Sequence, residues 1–254
     1  MSLIPEHFET LYFRHACRGW YRYPDSVVRE SHQLPPGRHG LSRSFVAQNQ
    51  RERILAAVAD VTSAASYAEM TVEDIIVTAG VSRRTFYEHF ENKDDAFLAA
   101  YDAAVAQLVE RMSQAVEAED DPVHRVSAGL GAFLDFVGSE PAFARMCIVE
   151  VLAAGPAAVQ RRNATMRAFT ELIEQNVRQF WGERAPPALT AETVVGGIHE
   201  VIYTRVLRGE IRELPELLPD LTYSALVPYG GPEDAASERL RLLEAAARAD
   251  RRGR

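Results

Sequence analysis

The chain of 254 residues holds two cysteines, Cys17 and Cys147. That is too few for a disulfide framework or a zinc cluster. Cys147 sits in the apolar run MCIVEVLAA and reads as a small core residue. No stretch approaches the roughly 18 consecutive apolar residues that a membrane span needs. The start, MSLIPEHFETLYFRHACRGWYRYP, lacks the apolar centre of a signal peptide, so a cytoplasmic protein is expected. Catalytic motifs are missing as well. There is no phosphate-binding glycine loop and no G-x-S-x-G elbow. His199-Glu200 opens like the zinc-protease pattern H-E-x-x-H, but Tyr203 occupies the place of the second histidine. No enzyme, cofactor or metal is expected. Sustained period-two alternation is absent too, which leaves an all-α chain.

The sequence is 47% hydrophobic and 25% charged, ample for a core and ordinary for a soluble protein. Its net charge of −8 is unevenly spread. Residues 1–93 hold 11 Lys+Arg against 11 Asp+Glu, and residues 94–254 hold 17 against 25. Five of the seven histidines also precede residue 94. An acidic body with a neutral, locally basic end is compatible with a polyanion partner at that end and argues against a broad polyanion binder.

The segment TVEDIIVTAGVSRRTFYEHFENK, residues 71–93, carries the most information. Thr71 with Asp74 forms a capping box, and Val72, Ile75, Ile76 and Ala79 mark one apolar helical face. Gly80 suits the left-handed residue that ends a helix. Ser82 caps a second helix, with Thr85 at N3 and Val81 and Phe86 placed as a hydrophobic staple. Two helices on a glycine corner are the parts of a helix-turn-helix. The second would project Arg83, Arg84, Thr85 and Tyr87, groups suited to guanine edges and phosphates. Thr71, Ser82, His89 and Lys93 are the accompanying candidates for DNA contact.

The run V-S-R-R-T-F-Y-E-H-F-x-N-K resembles the signature of TetR-type transcriptional regulators, roughly V-S-x-x-T-x-Y-x-H-F-x-x-K. Val81, Ser82, Thr85, Tyr87, His89, Phe90 and Lys93 carry the match, and Arg84 stands where many members have glycine. The resemblance is strong over residues 45–112 and consistent in layout beyond. It implies a homodimeric regulator, most often a repressor, that binds a palindromic double-stranded operator and is released by a small-molecule effector. A helical adaptor, or a small-molecule binder without DNA, is the alternative.

Four regions are expected. Residues 1–44 form an extension whose Arg38 and Arg43 resemble a minor-groove arm or belong to a plain linker. Residues 45–92 form the helix-turn-helix reader, 93–229 the regulatory and dimerisation body, and 230–254 a tail that is frayed or disordered. Pro122, Pro141 and Pro156 each open a body helix. Helices near 189–209 and 215–227 are the expected dimer faces, with burial within one subunit as the other reading, and Gly196 and Gly197 inside the first imply close approach or ligand space. A cavity lined by Phe133, Phe136, Met146, Phe169 and Tyr203, with Glu150 and His199 as polar anchors, is the expected effector site. The other reading of Glu150 is an internal salt bridge, with Arg167 or Arg205 for example, and of His199 a satisfied core histidine.

Overall fold

The computed structural model describes residues 42–253; Arg38 and the other residues of 1–41 lie outside them. Nine α-helices and no strand occur among the described residues. Helix α1 (Arg43–Ala65) is capped by the Ser42 hydroxyl, which accepts from the Phe45 N–H, and buries Ile54, Leu55, Val58 and Val61. The Thr71–Asp74 box caps α2 (Val72–Ala79) from both sides. Gly80 follows at φ 60°, ψ 40°, a left-handed conformation that costs a residue with Cβ extra. Helix α3 (Arg83–His89) starts at Ser82, whose hydroxyl accepts from the Thr85 N–H at 3.0 Å. Phe86, fully buried, fixes which side of this short helix faces inward.

Helix α4 (Lys93–Glu117) runs from the reader into the body, buried along Phe97, Ala100, Tyr101, Val105 and Leu108. It packs on α5 (Pro122–Ser139), which lies against α9 (Leu218–Gly253). Between them come α6 (Pro141–Ile148), α7 (Pro156–Trp181) and α8 (Leu189–Leu207), with 3-10 turns at Glu150–Leu152 and Ile211–Leu217. Proline stands at the first turn of α5, α6 and α7, where its missing N–H costs nothing. Helix α1 packs on α6, so one apolar core runs from Ile54 and Phe86 through Phe97 to Met146 and Val151. No single helix among the described residues is long and apolar enough to cross a membrane.

The segment 230–254 corrects expectation. It is a helix from Pro232 onward, set off by a break at Gly231 (φ 84°, ψ 174°). Composition rich in Ala, Arg and Glu hid a buried carboxylate, Glu238, one turn after the buried Ala235 on a mostly exposed helix. Glu238 accepts from the Ser127 hydroxyl of α5 and from Arg241 Nε at 2.7 Å, with His124 Nε2 at 3.5 Å. Burial works to raise its pKa, but the bonds from Arg241 and Ser127 outweigh it and hold the group below the usual range. Replacing Glu238 by alanine removes the buried acceptor through which the last helix bonds Ser127 of α5 and holds Arg241. The expected cost is about 1–3 kcal/mol, read by calorimetry as a drop of several degrees in Tm. An unchanged Tm would mean that the last helix is not docked through this group.

Candidate nucleic-acid interface and internal cavity

The outer side of α3 presents Arg83, Arg84 and Tyr87 to solvent, with Thr85 half-buried beside them. Their charges are held in place by acidic neighbours. Arg83 Nη2 lies 2.7 Å from Glu73 Oε2, and Arg84 Nε lies 2.9 Å from Glu88 Oε1. Exposed pairs of this kind are worth at most about 1 kcal/mol, so phosphate or guanine can displace the carboxylates. The Ser82 and Thr85 hydroxyls lie 2.9 Å apart at the N-terminus of the same helix. Exposed Thr71 donates its hydroxyl to Asp74 at 2.6 Å. Arg43, the first residue of α1, is exposed. His89 is half-buried, and burial together with the nearby Arg51 lowers its pKa, so at neutral pH it offers an N–H and no charge.

Lys93 has a different environment from the one its place in the motif implies. Its Nζ donates to the carbonyls of Tyr67 at 3.2 Å and Met70 at 3.0 Å and lies 4.7 Å from the centre of the Tyr67 ring. It therefore ties the α1–α2 loop to α4. One contributor to the turn escaped the sequence reading altogether. Arg53 donates to the carbonyls of Ala79 and, at 2.8 Å, Gly80, closing the C-terminus of α2 just before the reader turns. Nothing in the order of residues couples positions 26 apart; only packing of α1 on α2 does.

Inside the body lies a cavity of about 240 Å³. Its longest wall is one stripe of α7: Arg162, Thr165, Met166, Phe169, Leu172, Ile173, Asn176 and Phe180, spaced by three and four residues. Tyr101, Val105, Leu108 and Met112 of α4 face it, with Leu130 and Phe133 of α5 and Ile198 and His199 of α8. Trp181 and Tyr229 stand at one end. Of the seven residues expected to form this site, Phe133, Phe169 and His199 line it. Phe136 is buried under Arg111, and Met146 belongs to the core shared with the reader. Tyr203 stacks on His199 without lining the cavity.

Glu150 lies elsewhere. It is buried, accepts the Tyr67 N–H at 2.9 Å and pairs with Arg145 at 3.3 Å. The salt bridge anticipated for it exists, with Arg145 rather than Arg167 or Arg205, because the 3-10 turn after α6 folds it back toward the reader. The residues missed were Arg162 and Asn176, hidden in a polar-looking stretch. Only the stripe spacing along α7 could have singled them out.

His199 is pushed down to about 4, by burial first and then by the Arg162 charge. Unfolded, it titrates near 6.5. Between those values the unfolded chain binds the extra proton, so this group's contribution to stability is complete above pH 6.5 and is lost as pH falls toward 4. Urea unfolding of the protein and of His199→Phe between about pH 7 and 5 should show a shallower decline for the variant. Parallel profiles would mean that the ring is solvated.

Comparison with known proteins follows this geometry. Residues 54–100 match the family model described as bacterial regulatory proteins, tetR family. The HTH-type transcriptional regulator EthR of Mycolicibacterium smegmatis is 31% identical over 114 residues, which is 44% of this chain and 52% of that protein. The HTH-type transcriptional activator FasR of the same organism is 27% identical over 113 residues, with the same coverage. The chain thus spans about half the length of the curated relatives it matches. Two solved structures share the fold at 17% identity. The fatty acid degradation regulator FadR from Bacillus halodurans superposes with a TM-score of 0.63 over 69% of this chain and 97% of that one. FadR from Bacillus subtilis, solved in complex with stearoyl-CoA, gives 0.62 over 71% and 98%.

Proposed function

We propose that this chain, whose reader domain is that of the tetR family of bacterial regulatory proteins, is a DNA-binding transcriptional repressor. The observation that carries the reading is the exposed set Arg83, Arg84 and Tyr87, held outward because Phe86 on the same two turns is fully buried. Helix α3 enters the major groove, where an arginine takes a guanine edge through two donors. Ser82, Thr85, Tyr87, Thr71 and His89 grip phosphate, and Arg43 extends the contact. The domain limits that fit this division are 45–92 for the reader and 93–229 for the body, with 230–254 added to the body. The operator is a palindrome, the effector is a small molecule in the internal cavity, and the protein acts in the cytoplasm without catalysing a reaction. The stearoyl-CoA in the Bacillus subtilis FadR structure supports a long, apolar effector here. Binding works by population shift, since a ligand that prefers one arrangement of the body draws the two readers out of groove register.

Arg83→Ala and Arg84→Ala should each relax preference at one operator position, by about 1–3 kcal/mol. Selection of bound duplexes from a random pool reads this out. Lys93→Ala should chiefly lower thermal stability, because its ammonium is committed to two carbonyls. If both arginine variants select the wild-type sequence, α3 is not the reading helix.

A two-fold operator calls for a two-fold protein. The exposed stripe of α8 suits the pairing: Leu189, Gly196, Gly197, Val201 and Leu207 are open to solvent, and nothing lies within 4 Å of a Cβ built on either glycine. Neighbouring Ile202 is 1% exposed, and Leu221 and Leu226 of α9 are likewise buried within the subunit. Sequence periodicity assigns those three to the interface, but they fill the body's own core. Val201, 37% exposed, is therefore the better probe. Val201→Asp should give a folded monomer with weakened operator binding, and Ile202→Asp an unfolded chain. Sedimentation with circular dichroism separates the two, and a dimer that survives Val201→Asp would place the interface elsewhere.

A further inference from the structure

The cavity wall contains a charge with no counter-ion. Arg162 forms no ion pair among the described residues, and its Nε is buried without a hydrogen-bond partner. One guanidinium nitrogen, Nη2, lies 3.3 Å from both ring nitrogens of His199. Whichever tautomer His199 adopts, its neutral ring supplies no charge to balance the guanidinium. Nη1 reaches only the neutral Asn163 amide oxygen, at 3.2 Å. A cation kept this way against apolar surface is expensive unless something anionic completes it. The other arginine on the wall, Arg125, donates its Nε to the Glu119 carbonyl at 2.7 Å and lays its guanidinium over the Phe180 ring.

From Arg162 the α7 stripe continues through Met166, Phe169, Leu172 and Ile173 to Asn176, about 21 Å along the axis at the usual rise per residue. Between those ends every lining residue of the stripe except Thr165 is apolar, and the Thr165 hydroxyl already meets Tyr101 at 3.0 Å. At the far end the Asn176 Oδ1 and the Tyr229 hydroxyl are buried without partners. A cation without a counter-ion at one end of a long apolar stripe suits an amphiphile with a negatively charged head.

Resting on the reading of this cavity as the effector site, we propose that the effector is a free long-chain carboxylate. Its carboxylate pairs with Arg162 beside His199, and its alkyl chain lies along the inner stripe of α7. A coenzyme A thioester replaces the carboxylate by a neutral carbonyl, which gives Arg162 no charge to pair with. The anion also removes the penalty that Arg162 imposes on His199, so occupancy raises the histidine's pKa from its depressed value.

Palmitate, hexadecanol and palmitoyl-CoA should be titrated into the full chain by calorimetry, with Trp181 fluorescence as a second signal because that indole lines the cavity. Palmitate should bind roughly ten- to a hundredfold more tightly than hexadecanol, the range of one charge-assisted contact. Arg162→Met should erase that preference while leaving hexadecanol unchanged, and Arg162→Lys should keep part of it. Should Arg162→Met fail to fold, the wild-type histidine decides: palmitate must raise the His199 pKa in an NMR titration. Equal binding of palmitate and hexadecanol, tighter binding of palmitoyl-CoA, or an unmoved His199 would overturn the carboxylate assignment. Release of DNA is scored separately with a selected duplex. Release by palmitoyl-CoA or hexadecanol alone keeps the regulator and sinks the carboxylate, whereas tight palmitate binding without any release keeps the carboxylate and sinks effector control.

Discussion

Tyr67 joins the two halves of the molecule. Its N–H is held by the buried Glu150 carboxylate, its carbonyl by Lys93, and its hydroxyl by Asp94 at 2.5 Å. The ring packs edge-on against Phe97 at 4.9 Å. Burial, with Asp94 beside it, pushes the phenol above its ordinary pKa, so it remains a neutral donor. A carboxylate taken out of water is tolerated only when its lone pairs are used, and Glu150 uses them on Arg145 and on a backbone N–H 83 residues away in sequence. This satisfied group pins the reader to the body beside the apolar core that the two share.

The cavity reaches the same node by two routes. Cys147 and Ile148 line it and lie just before Glu150 on the chain. Tyr101 lines it two turns after Lys93 on α4, and its hydroxyl bonds Thr165 on the far wall. Nearby, Asp102 pairs with Arg161 at 2.6 Å, though burial still pushes its carboxyl up to about 6. Close-packed helices transmit a displacement rather than absorb it. Any molecule that spreads α4 from α7 therefore acts on both ends of the Tyr67 contact at once.

Exposure divides the two functional regions by energetic regime. On α3 the arginine pairs with Glu73 and Glu88 are solvated, cheap to break and available for exchange. In the cavity the Arg162 Nε is buried and His199 is held neutral.

Local chemistry was legible in the order of residues. The Thr71–Asp74 box, the Gly80 turn, the Ser82 cap and the proline-opened helices depend on neighbours within one or two turns, so spacing alone specifies them. The outward set on α3 followed for the same reason, since one buried phenylalanine orients seven residues. Long-range pairing was not legible. Glu150 reads in the sequence as an effector anchor or a salt-bridge partner and Lys93 as a phosphate contact; in the fold Glu150 takes Arg145 and the Tyr67 N–H, and Lys93 the Tyr67 and Met70 carbonyls. Ile202 and Leu221 carry the periodicity of a dimer face, yet they fill the subunit's own core while the glycine stripe faces out. Periodicity reports that a face is apolar. Which surface buries it, and which charge is left without a partner beside a cavity, is decided only when the helices pack.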